Sequence, residues 1–263
     1  MLGKLLKYDS KDIYKFMTIF YSLSIFFAIL TRIFMSIDNS FVCYIIGKIC
    51  LGTTISMIAN IIINNVIRLW VRFKNSLYGD ESYLTHTLPI SKKTIYLSKT
   101  ILSAVTMFAS CVVIILSLFI SLYSKENMEI LKTFLNTTMA GFDMKLGSMI
   151  GLLLILIFLE LFNALQCGYF GILQGCKRES AKVGYSFIYA FIAYMLVQGF
   201  GIACIAGVGI FNKDILKLFT TSNIASFEIL ETLFYAAIVF YTVSIVIMYL
   251  INNKIFSKGV NVE

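Results

Sequence analysis

The feature that most constrains this chain is a series of six long apolar stretches, at residues 16–34, 49–67, 101–123, 147–172, 185–211 and 233–251. An α-helix crosses the hydrocarbon core of a bilayer in about 20 apolar residues, so each stretch can span. Of the residues, 59% are hydrophobic and only 14% charged, where a soluble domain has about 45–50% and about 25%. A soluble core of this chain length cannot bury that much apolar surface, so the excess must face lipid. The sequence therefore predicts an all-α integral membrane protein with six transmembrane helices. No repeat or low-complexity tract interrupts it, and residues 1–263 read as one transmembrane domain.

The net charge of +8 acquires meaning from its placement. Lys4, Lys7, Lys11 and Lys15 precede the first span. Arg68, Arg72, Lys74, Lys92, Lys93 and Lys99 lie between spans two and three, Lys177, Arg178 and Lys182 between spans four and five, and Lys254 and Lys258 after span six. The other side holds only Arg32, Lys48, Lys125, Lys132, Lys145, Lys213 and Lys217. Cytoplasmic loops carry the excess of Lys and Arg, so both termini and the loop between spans two and three are expected in the cytoplasm. The basic balance then reflects topology and attraction to anionic membrane lipid, not binding to nucleic acid. The first span reads as retained, since no small-residue cleavage site follows it.

The opening "LGKLLKYDSKDIYKF" sets Leu2, Leu5, Leu6, Tyr8, Ile13 and Phe16 at roughly helical spacing with lysines between. This suits an amphipathic helix lying at the inner interface; the alternative is a merely charged flank. The six cysteines, Cys43, Cys50, Cys111, Cys167, Cys176 and Cys204, follow no metal or disulfide spacing and mostly sit inside apolar runs, where free Cys packs as a small apolar residue.

The only proline, Pro89, and the only histidine, His86, occur together in "YGDESYLTHTLPIS", residues 78–91. Gly79 can end the helix leaving span two, Asp80 can cap a new short helix, and Glu81 suits its first turn. Tyr83, Leu84, Thr87 and Leu88 then form an apolar stripe. Pro89 ends the helix and Ser91 can cap the next. A loop without a role needs only about four residues. An apolar stripe on a short cytoplasmic helix is either a grip for a partner protein or a face resting on the membrane surface. His86 is either a group titrating near neutral pH or a plain helix-face residue.

The segment "GDESYLTHTLPISKKTIYLSK" resembles the stretch between spans two and three of ABC-2 type permeases of Gram-positive bacteria. It does so at Gly79, Asp80, Glu81, Tyr83, Leu84, Thr85, Thr87, Leu88, Pro89, Ser91, Leu97, Ser98 and Lys99. The opening "MLGKLLKYD", the length and the six-span layout are also similar, while Ser82 and His86 depart from the pattern. The resemblance implies a membrane subunit of an ATP-binding cassette exporter in the bacterial plasma membrane. It further implies that residues 80–88 form a coupling helix docked on a separate ATPase, present in two copies, which would bind the ATP and Mg. A second permease subunit, identical or homologous, would complete the assembly, and short re-entrant helices would fall within residues 212–231.

No G-x-x-x-x-G-K-[ST] phosphate loop occurs, and "IIGKIC" lacks its first glycine and its Ser/Thr, so no cofactor is expected in this chain and ATP hydrolysis is assigned to a partner. One histidine cannot build a metalloprotease site or a bis-histidine haem site, so no metal and no catalytic residue is expected. In span four, Glu160 shares a helical face with Asn163, Ala164, Cys167, Gly168, Gly171 and Gly175. A carboxylate at mid-bilayer costs roughly 2.5–3.5 kcal/mol on insertion scales. Glu160 and Asn163 therefore either meet a cargo or form a buried structural group, with Asn64, Asn65 or Gln198 as partners for the carboxylate. Gly199, Ala203 and Gly207 recur every four residues in span five, and with Gly168 and Gly171 they are expected to pack helices closely. So few charges in the spans suit an amphipathic or lipid-like cargo such as an antimicrobial peptide. The alternative function is a non-transporting receptor, scaffold or immunity protein that binds a cytoplasmic partner through the same loop.

Overall fold

The computed structural model describes residues 2–37, 40–79, 81–87, 89–124, 129, 133, 146–211 and 227–258. Among the described residues every regular element is a helix: α1 (Leu2–Met35), α2 (Phe41–Tyr78), α3 (Ser82–Thr87), α4 (Lys92–Leu122), α5 (Leu146–Gly175), α6 (Lys182–Phe211) and α7 (Phe227–Ser257). All except α3 are long and apolar enough to cross a membrane, and the chain is a multi-pass membrane protein. Each expected span lies within one of these helices, apart from Tyr123, which caps α4. Contacts divide the chain into two compact units, Met1–Lys132 and Thr133–Glu263.

In the first unit α1 packs along both α2 and α4. Its buried residues Asp9, Ile13, Met17, Ser24, Ala28 and Thr31 recur at helical intervals, forming one stripe from the first turns to the last. The N-terminal segment is thus not a separate element: no Gly or Pro stands between Lys4 and Met35, so nothing ends the helix before the span begins. α2 has 38 residues, about 57 Å at about 1.5 Å per residue, against about 30 Å of hydrocarbon. Residues 68–78 therefore continue the helix past the apolar run.

Lipid is as apolar as leucine, so helices in a bilayer associate through close packing and interhelical hydrogen bonds. α4 supplies a seam of buried hydroxyls at Ser103, Thr106, Ser110, Ser117 and Ser121. Ser24 donates to Ser117 at 2.9 Å, Tyr21 and Ser110 share a hydrogen at 2.7 Å, and Asn65 Nδ2 reaches Ser110 at 2.7 Å and the Thr106 carbonyl at 3.2 Å. Farther along, Thr31 of α1 meets Thr54 of α2 at 3.4 Å.

The second unit relies on close backbone approach. Gly171 and Gly175 stand one turn apart on α5 and face Ser186 and Ala190 of α6. A Cβ on Gly171 would overlap the Ser186 carbonyl and stand 2.6 Å from Ala190 Cβ, and one on Gly175 would overlap Ser186 itself. α7 closes the unit against α5: Ser244 donates to Asn163 Oδ1 at 2.9 Å, and Asn252 Nδ2 to the Gln166 carbonyl at 3.0 Å. Cys167, Ala193 and Met248 pack together between the three helices. All six cysteines are free.

Candidate functional site

The hydrophilic segment between α2 and α4 is built from local chemistry. α2 ends at Tyr78, where the Gly79 N–H donates to the Asn75 carbonyl at 3.1 Å. Glycine is needed there for space, because a Cβ would lie 2.9 Å from both Cα and O of Asn75. The chain then turns into α3, six residues long, whose first bonds run from Ser82 N to Gly79 O at 2.9 Å and from Thr85 N to Glu81 O at 3.1 Å. Ser91 caps α4, its Oγ accepting from Thr94 N at 3.3 Å. Asp80 and Leu88 lie outside the described residues, as does the side chain of His86. Of the expected stripe, Tyr83 and Leu84 are 75% and 67% exposed, and Thr87 and Pro89 are exposed beside them. Ser82, in contrast, is buried.

α3 stands over an ion cluster that joins three helices. Asp9 of α1 is 3% exposed and Lys99 of α4 is 5% exposed. Arg72 of α2 sets Nε and Nη2 on Asp9 Oδ1 at 3.0 and 2.9 Å, and Lys99 Nζ donates to the other oxygen, Oδ2, at 2.6 Å. Arg72 Nη1 donates in the opposite direction to Glu81 Oε1 at 2.8 Å, just ahead of α3, and lies 3.8 Å from Asp12. Two buried or half-buried cations thus face two acids, and the charge of the inner cluster balances. A buried charge persists only when it is paired and hydrogen-bonded, and the 2.6–3.0 Å distances meet that condition. Phe73 and Tyr96 seal the α2–α4 contact edge to face, centroids 6.1 Å apart.

Sequence reasoning named Glu81 but not Asp9, Arg72 or Lys99 as a group. A signal was present. Asp9 falls four residues before Ile13 and eight before Met17, on the face that α1 buries, and Lys99 falls four after Ile95 and three before Leu102 on α4. An acid and a base, each on an apolar face, call for one another.

The remaining expected residues lie in the second unit. Glu160 is half-buried and receives the Tyr194 hydroxyl at 3.4 Å. Asn64 and Asn65 donate elsewhere, to Asn60 O and to α4, and Gln198 Oε1 accepts from Tyr241 at 3.3 Å. Asn163 is fully buried and held by Ser244. Gly168 and Gly171 are buried, with Gly171 in the α5–α6 contact. The Gly199–Ala203–Gly207 row meets no helix among the described residues: a Cβ at Gly199 or Gly207 would touch nothing within 4 Å, and Ala203 is exposed. α6 is apolar on nearly every side, so spacing alone does not select its contact face; the Ser186–Ala190 row takes that contact. No cluster of three or more His, Cys, Asp or Glu that could hold a metal occurs among the described residues.

Comparison with known proteins returns no matching family model, no matching curated protein and no matching solved structure.

Proposed function

We propose that this chain is the membrane-spanning subunit of an ATP-binding cassette exporter, with α3 as the helix that docks on a separate ATPase. The observation that carries this reading is the outward pair Tyr83 and Leu84, 75% and 67% exposed, on a short helix anchored from behind by Gly79 and by the Glu81–Arg72 bond. Exposed apolar side chains on a short helix suit a partner's cleft, and the resemblance of residues 79–99 to ABC-2 permeases supplies the partner's class. The charge asymmetry puts α3 and both termini in the cytoplasm. The first turns of α1, with Lys4, Lys7, Lys11 and Lys15 all exposed, then run through the inner headgroup layer. The ATPase, in two copies, binds ATP and Mg; two membrane subunits enclose the path; and an amphipathic or lipid-like cargo suits spans so poor in charge.

Two measurements test this. A tagged chain extracted gently from its native membrane brings a stoichiometric ATPase with it; repeated isolation without any nucleotide-binding protein overturns the exporter reading in favour of a non-transporting membrane protein. Tyr83→Ala/Leu84→Ala, still inserted in the membrane, loses ATPase association and coupled hydrolysis. Normal coupling in that variant refutes docking through this face.

A further inference from the structure

Beside the ion cluster the first unit has a half-open cleft of about 470 Å3, bounded by the first turns of α1, the end of α2, α3 and the start of α4. That volume is in the range of small-molecule sites, which are mostly apolar with a few convergent polar groups. Three cations line it, Lys4, Arg72 and Lys99, against two carboxylates, Asp9 and Glu81. The wall therefore carries one positive charge in excess. Lys99, 5% exposed, gives one of its three N–H groups to Asp9. Lys4, at the exposed rim, forms no ion pair among the described residues. Leu5, Leu84 and Ile95 add aliphatic surface to the same lining.

A site whose lining combines one surplus cation with aliphatic side chains fits a singly charged amphiphile. We infer that the cleft binds the phosphate diester of an anionic membrane lipid, with the phosphate held by Lys4 and Lys99 and the glycerol end against Leu5 and Ile95. Depth favours a lipid over a soluble phosphate. Arg72 follows the end of the second apolar run by five residues, about 7.5 Å along a helix, and the headgroup layer is about 5–8 Å thick on each side of the core. Basic pockets between membrane helices are also established places for anionic headgroups. The site uses the chain alone, so it stands or falls independently of the ATPase.

The test uses the full chain in neutral detergent. Short-chain phosphatidylglycerol, phosphatidylcholine of the same chain length and inorganic phosphate are titrated against the fluorescence of Trp70, the only tryptophan, two residues before Arg72. Lipid retained by the detergent complex is counted in parallel by mass spectrometry, so a silent fluorophore does not decide the matter. Phosphatidylglycerol is expected to saturate with a Kd at least about fivefold below that of phosphatidylcholine. Lys4→Gln weakens it about fivefold, the effect of one interfacial cation, while Lys48→Gln at the far end of α2 leaves it unchanged. Competition by inorganic phosphate would keep the phosphate site and overturn its lipid source. Equal affinity for the two lipids, or equal behaviour of the two variants, overturns the site altogether.

Discussion

Asp9→Asn keeps the side-chain volume of Asp9 and removes the charge that both Arg72 and Lys99 face. Both partners are largely desolvated, with side-chain exposures of 11% and 5%, so water compensates little for the lost carboxylate. Removing one member of a buried pair costs about 3–5 kcal/mol. For a chain of this size about 1 kcal/mol moves Tm by about 2–4 °C, so Asp9→Asn is expected to lower Tm by on the order of 10 °C. Lys99→Met falls at the lower end of that range, because Asp9 keeps the Arg72 fork. The double variant Asp9→Asn/Lys99→Met leaves Arg72 and Glu81 as a balanced pair and is expected to be at least about 1.5 kcal/mol more stable than the sum of the single losses, within the usual coupling for residues in contact. Glu81→Gln serves as the internal control. Glu81 is 41% exposed, so its bond to Arg72 is worth about 0.2–1 kcal/mol and its loss barely moves Tm. All four variants are followed by thermal unfolding of the detergent-solubilised chain with Trp70 fluorescence. An Asp9→Asn protein melting within about 2 °C of the parent, less than about 1 kcal/mol, or strict additivity in the double variant, would refute the buried cluster.

The contrast between glycine rows gives a second test. Gly175→Val must push α5 from α6, because its Cβ would overlap Ser186, and overpacking of this kind costs about 1–3 kcal/mol; Gly199→Val and Gly207→Val meet open space and should leave Tm unchanged. In the α5–α6 turn Ala181 has a φ of 50°, a left-handed conformation that costs an L-residue roughly 1–2 kcal/mol. Ala181→Gly is expected to stabilise by up to about 1 kcal/mol after the extra freedom of the unfolded chain is subtracted, and a lower denaturation midpoint would contradict it.

The six spans were legible because a run of about 20 apolar residues has few alternatives, and every expected run, Tyr123 apart, falls in a helix. The punctuation was legible as well, since Gly79 and Ser91 act through neighbours three or four residues away in sequence. Partner choice was not. The carboxylate of Glu160 meets Tyr194, 34 residues away, while Asn65 turns to Ser110; both choices depend on how helices rotate about their axes, which a single helix does not encode. The same limit applied to the glycine rows. Gly171 and Gly199 are chemically identical, and only the partner's shape separates contact from open space. The hydroxyl seam of α4 escaped notice for a related reason. Serines every three to four residues read as interruptions of an apolar run until Tyr21, Ser24 and Asn65 are placed opposite them.

Arg72 is the one residue of the site that another cation could not replace. Its guanidinium is planar and rigid. One edge, Nε and Nη2, holds Asp9, and the other, Nη1, holds Glu81. The link from α3 to α1 therefore passes through a group that cannot bend, and from Asp9 the same carboxylate continues to Lys99 of α4. A shift of the Glu81 carboxylate by more than a few tenths of an ångström has to move the guanidinium or stretch the 2.8 Å bond. A lysine, a single point charge on a flexible stem, would let α3 move freely while retaining either acid. On the reading proposed above, a pull on Tyr83 and Leu84 then reaches α1 and α4 through three short ionic contacts. It does not have to pass through the exposed Pro89 segment that joins α3 to α4 in sequence. The cost of burying Asp9 and Lys99 is consistent with such a role: two desolvated charges add little net stability over an apolar pair of the same shape, but they fix where three helices and the short helix α3 stand relative to each other.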